Sequence, residues 1–154
     1  MRHWLMKTEP STFGLETLAA AQRRTTGWDG VRNYQVRNMI RDEMKKGDLA
    51  FLYHSSCALP GIVATMKIVR AGYPDPTAFD RKDDHYDPDS DPADPRWYMV
   101  DVQLQKPLAR PVSLEELRAH AHRELKDMVL LRPGNRLSIT PVAAAHWKFI
   151  LALA

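Results

Sequence analysis

Apolar positions along the chain change period several times, and each change predicts an element. His3 to Lys7 is a short run of bulky residues and predicts a strand. Thr8-Glu9-Pro10-Ser11 stops it, because Pro10 lacks a backbone donor and pushes Glu9 off helical angles. Leu15, Leu18 and Ala19 then follow helical spacing, predicting a helix over Phe13–Ala21. Gly27-Trp28-Asp29-Gly30 has the composition of a turn. A second helix is expected from Asn33 to Glu43, with Val36, Met39 and Ile40 as its apolar stripe. Arg32, Arg37 and Arg41 form the cationic complement of that stripe.

The middle of the chain is patterned for strands. Leu49–His54 and Gly61–Val69 predict two of them. Arg96–Leu108 alternates most cleanly, with Tyr98, Val100, Val102 and Leu104 on one face and Trp97, Met99, Asp101 and Gln103 on the other. Between these strands, Tyr73–Pro95 holds five prolines and eight aspartates and reads as a long loop. Further on, Ser113 and Glu116 match a capping box, and Arg132-Pro133-Gly134-Asn135 a turn. Leu137–Ile139 predicts a short strand, and Thr140-Pro141 the N-cap and first residue of a last helix reaching about Leu153. Strands with long, varied connections and short helices imply an α+β domain around a mixed or barrel-like sheet, one domain over residues 1–154.

Charge is uneven. The acidic segment 73–95 is at −6, so the remaining residues carry +9 of the net +3. A basic body points to an anionic partner, of which nucleic acid is the commonest, although such a charge also serves solubility. No apolar run approaches the ~20 residues of a membrane span, and the first residues return to charge too early for a signal peptide, so a cytoplasmic location is expected, or a nuclear one in a eukaryote. A lone cysteine, Cys57, excludes an internal disulfide and a thiolate zinc cluster. Glycine-rich phosphate loops are absent, His120 and His122 diverge on a helix, and the Asp-rich loop lacks calcium spacing. No cofactor or metal is therefore expected.

Two constellations remain. His54-Ser55-Ser56-Cys57 ends a strand, and Cys57 activated by His54 is the enzyme alternative. Trp28, Trp97 and Tyr53-His54-Ser55 at turns and strand ends could instead stack a planar base and read its edge, with Arg32, Arg37 and Arg96 near phosphates. Trp4 and Trp147 lie in apolar runs and are assigned to the core. A protein-interaction module with a basic face is a further reading.

Several segments together resemble a known family. Trp4-Leu5-Met6-Lys7-Thr8-Glu9-Pro10, the stretch from Trp28-Asp29-Gly30-Val31-Arg32-Asn33 to Asn38, and Tyr53-His54-Ser55-Ser56-Cys57 are similar to successive signatures of the EVE domain. Pro60-Gly61-Ile62-Val63, Tyr73–Asp80, Pro95-Arg96-Trp97-Tyr98 and Pro111–Leu117 continue the match in order. The resemblance implies a PUA-like mixed β-barrel with peripheral helices, related to readers of methylated RNA. It also implies a non-catalytic module that binds a modified nucleobase, such as a modified cytosine in DNA or RNA, in an aromatic pocket. On these positions Trp28 and Trp97 would be walls, Asn33, His54 and Ser55 would read the base, and Lys7 and Arg32 would meet anionic groups. The chain departs from the family pattern at Ser56 and Ala58, where a more polar residue such as Asn and a basic residue, respectively, are expected.

Overall fold

A computed structural model describes residues 1–154. Six strands form one mixed sheet in the order β2-β5-β4-β3-β1-β6: β1 His3–Thr8, β2 Thr25–Trp28, β3 Leu49–His54, β4 Gly61–Pro74, β5 Tyr98–Ser113 and β6 Ile139–Val142. Only β1 and β3 run parallel. The helices are α1 Leu15–Ala20, α2 Tyr34–Asp42, α3 Leu114–Ala119 and α4 Ala144–Leu153. The architecture is thus the expected α+β one, but β2 and β6 stay unpaired with each other, so the sheet is not a closed barrel. Four register shifts between the long strands β4 and β5 provide the local twist that lets such a sheet curl.

The side-chain alternation of β1 explains the two-sided core. Trp4 and Met6 pack on one face with Val36, Ile40, Val100 and Val102, under α1 and α2. Leu5 enters the opposite face with Phe51, Leu117 and Ile150, under α3 and α4. There Phe51 stacks on Trp147 at 3.9 Å between ring centroids. Trp4 and Trp147 are core residues, and the indole N–H of Trp4 donates to the buried Asp48 carboxylate at 3.0 Å. No helix is long and apolar enough to cross a membrane.

Several element boundaries differ from the periodic pattern: β5 begins at Tyr98 and runs on to Ser113, and Leu137 and Ser138 lie outside any strand. Thr140-Pro141 is not a helix start: it lies in β6, where Leu5 faces Thr140 and Trp4 faces Pro141, and α4 begins after Ala143. Proline is tolerated there because an edge strand has one side with no ladder to donate to. Trp28 is not in a turn but closes β2 against Val100. Gly27 hides this strand in the sequence; a Cβ there would stand 2.3 Å from Met99 Cε, so the Met99 side chain fills the space beside it. Finally, β4 runs through Pro74, so the connection to β5 starts later than the acidic composition implies, and a short 3₁₀ turn at Pro76–Phe79 follows. At Ser113 the capping box is half formed, since Ser113 accepts from the Glu116 N–H while the Glu116 carboxylate pairs with Arg110.

Candidate functional site

A cleft of about 790 Å³ opens beside the C-terminal end of β1, between the exit of β2 and the turn that follows Thr8. Its apolar wall is made by two aromatic rings. Trp28 is placed by β2 pairing, and Phe13 by a turn in which the Thr8 hydroxyl donates to the Phe13 carbonyl at 2.8 Å. The rings meet edge to face, with centroids 6.5 Å apart. Lys7 and Ser55 also line the cleft, the latter fixed by its N–H donating to the Thr8 carbonyl at 2.9 Å. Arg136 and Ser138 enter from the segment before β6, held by the Lys7 N–H bonded to the Ser138 carbonyl. Burial lowers the Lys7 pKa, and its ammonium makes no ion pair within the chain. An unpaired cation beside two aromatic rings suits a flat, anionic ligand.

Behind the cleft, the segment between β4 and β5 is strapped to the body. Asp75 is fully buried and accepts from the Gly30 N–H at 2.8 Å, the Thr77 hydroxyl at 2.6 Å and Arg32 Nη1 at 3.1 Å. Burial alone would raise its pKa, but the bonds from Thr77, Gly30 and Arg32 outweigh it and hold the carboxyl below the usual range. Arg32 has every guanidinium N–H occupied, by Val31 O, Asp75, Thr77 Oγ1 and twice by His85 O. His85 in turn leans over Gly30 at the cleft edge; a Cβ on Gly30, whose φ is +78°, would lie 2.6 Å from its Nε2.

The structure therefore sorts the sequence-nominated residues. Trp28, Ser55, Lys7 and Arg32 all line the cleft, Arg32 with its donors occupied. Trp97, Asn33, His54, Arg37 and Arg96 do not. Trp97 is buried, stacks on Tyr34 at 4.9 Å and donates its indole N–H to Asp87 at 2.7 Å. Arg37 donates to the Arg96 carbonyl at 2.8 Å, and Arg96 reaches Asp87 and the Asp89 carbonyl. Asn33 caps α2 by accepting from the Val36 N–H at 3.0 Å. His54 caps α1: its Nε2 accepts from the Leu15 N–H at 3.1 Å, and burial keeps its pKa low, hence its ring neutral. No hydrogen bond joins His54 to Cys57, which lies outside the cleft, so the thiol pair of the enzyme alternative is not assembled.

Phe13, Asp29, His85 and Arg136 line the cleft without having been singled out from the sequence. Phe13 reads as a helix start and Arg136 as the end of a turn, while Asp29 and His85 sit in stretches whose composition signals only a loop. No group of three or more His, Cys, Asp or Glu side chains converges as a metal site.

A family model described as the EVE domain matches residues 2–153. Thymocyte nuclear protein 1 of zebrafish, Danio rerio, is 47% identical, over 97% of this chain and 71% of that protein. The human protein of the same name is 46% identical, over 98% of this chain and 73% of its own length. The crystal structure of human THYN1 in complex with 5-methylcytosine-containing DNA superposes with a TM-score of 0.94 at 44% identity, covering 99% of this chain and 97% of that one. A crystal structure of a protein from Pseudomonas putida gives 0.91 at 42% identity, covering 98% of each chain.

Proposed function

The chain belongs to the EVE domain family, and on that premise we propose that it binds nucleic acid by receiving one modified base, of the 5-methylcytosine kind, in the Trp28 cleft. The observation that carries this reading is an open aromatic cleft in a chain so similar in fold to a human protein crystallised with 5-methylcytosine-containing DNA. A base turned out of its stack loses a few kcal/mol, and stacking on an aromatic face offsets about 1–3 kcal/mol of that. Trp28 and Phe13 supply the apolar surroundings, and Ser55 a hydroxyl for the polar edge. A 5-methyl group adds only about 1 kcal/mol of apolar contact, so preference over plain cytosine is modest.

Phosphate contact falls to Lys7 and Arg136, the cleft cations that no carboxylate neutralises. The cleft binds its ligand and leaves it unchanged, since no nucleophile and base are paired in it.

Fluorescence anisotropy with short oligonucleotides, DNA and RNA, carrying one central cytosine or 5-methylcytosine tests the reading. Tighter binding to the modified DNA is expected, falling about tenfold or more in Trp28→Leu, which stays apolar but removes the indole face. Two phosphate contacts predict a shallow salt slope of about −1.4 on single strands. Binding that ignores both modification and Trp28, and disappears with salt, would overturn it.

A further inference from the structure

Asp29 stands in the cleft next to Trp28, and its carboxylate makes no hydrogen bond or ion pair with any residue of the chain. Of the other acidic side chains nearby, Glu9 at the cleft rim is likewise without a partner, whereas Asp75 and Asp83 are engaged. Asp75 is held by Gly30, Thr77 and Arg32, and Asp83 by His85. Arg32, the cation nearest in sequence, has no donor left for it. The Gly30 N–H bond to Asp75 fixes the backbone just beyond, so the carboxylate is presented on a rigid support.

An unpaired anion is out of place in a cleft meant for a polyanion unless the ligand itself brings a donor. Desolvation and the nearby Asp75 charge push the Asp29 pKa up, against smaller opposite effects of His85 and Arg32. Asp29 is exposed to solvent, so a ligand entering the cleft can reach its carboxylate. An ionised carboxylate only accepts hydrogen bonds. Among bases, an exocyclic amino group donates to it, as the N4 amine of cytosine does to Asp or Glu, whereas a keto oxygen at the same position sets lone pair against lone pair.

Resting on the reading above, we propose that Asp29 is the specificity determinant of the cleft, accepting a hydrogen bond from the exocyclic amino group of the bound base and so selecting amino-bearing pyrimidines over their keto counterparts. Thymine and 5-methylcytosine share the 5-methyl group and differ at the 4-position, so they isolate this contact from stacking and methyl contact.

The test is anisotropy titration of the full chain with short single-stranded DNA carrying one central 5-methylcytosine, thymine or 5-methylpyrimidin-2-one, the last lacking any 4-substituent. The native protein is expected to prefer 5-methylcytosine to thymine by about tenfold or more, with the pyrimidinone between them. Asp29→Ala should bring the three within about threefold of one another, and Asp29→Asn, whose amide oxygen still accepts, should restore most of the preference. Glu9→Gln, which removes the other unpaired carboxylate of the cleft, should tighten all three alike. If Trp28→Leu weakens every oligonucleotide while Asp29→Ala keeps the native preference for 5-methylcytosine, the role of Asp29 is refuted and the aromatic cleft stands. If Trp28→Leu changes nothing, the cleft reading fails and this inference with it.

Discussion

Two tryptophans with similar sequence surroundings, each beside a glycine or proline turn and within reach of arginines, have opposite fates. Trp28 is nearly as buried as Trp97 but lines the cleft, where the side chains of Lys7, Asp29 and Arg136 make no hydrogen bond or ion pair within the chain. Trp97 has its indole N–H on Asp87, its ring on Tyr34 and the Arg32 guanidinium 5.3 Å from its centre. The difference teaches that residue type alone does not tell the two apart; whether the polar groups around each ring are engaged within the chain does. The acidic segment between β4 and β5 answers the charge asymmetry in the same way. Two of its eight aspartates, Asp75 and Asp87, pair with Arg32 and Arg96 and so occupy cations that the sequence alone leaves free.

The sharpest break of this comparison is Trp97→Ala. Removing a buried tryptophan costs about 3–5 kcal/mol, and urea denaturation should show that loss. Hydrogen exchange of residues 75 to 97 should speed up in the same variant. A loss below about 1 kcal/mol, with modified-base affinity abolished, would instead mark Trp97 as a cleft residue.

Next in size is the Asp75 clasp. Asp75→Asn leaves Arg32 without its buried partner and should cost about 2–3 kcal/mol. The native pH dependence follows from the same carboxyl. Its folded pKa lies below the unfolded 3.8, so the unfolded chain binds the proton more readily. The stabilisation is therefore complete above that value and is lost as pH falls through the lower folded pKa. Denaturation midpoints measured across the acid range should show this slope in the native protein and a shallower one in Asp75→Asn.

The smallest effect separates a cap from a ligand contact. His54→Ala removes the acceptor for Leu15 N–H and should cost about 1 kcal/mol with base affinity retained. Because the folded ring has its pKa lowered, this contribution is complete above the unfolded 6.5 and declines as pH drops below it. Calorimetry on either side of that pH checks the sign, and loss of affinity without loss of stability would place His54 at the ligand.

How far the sequence reaches is visible element by element. Leu49–His54 has the same bounds in pattern and structure, because continuous apolar residues need a sheet buried on both faces. Asn33 is at the start of α2 as its helix-capping chemistry requires, and that local role occupies the side-chain oxygen that base reading would need. β2 was illegible because a glycine inside a four-residue strand erases the alternation, and its pairing partner, β5, lies far along the chain. β6 was illegible because Pro141 reads locally as a helix start, while pairing with β1 decides otherwise.

The sequence by itself determined what short-range physics can carry: the α+β class, the amphipathic faces, the core placement of Trp4 and Trp147, and the charge imbalance. Only the tertiary structure decided which of its cations and aromatics remain available. Availability is a matter of satisfied or unsatisfied hydrogen bonds and exposed ring faces, and those are set by partners distant in the chain, as Asp75 is from Arg32, Asp87 from Trp97 and Leu15 from His54.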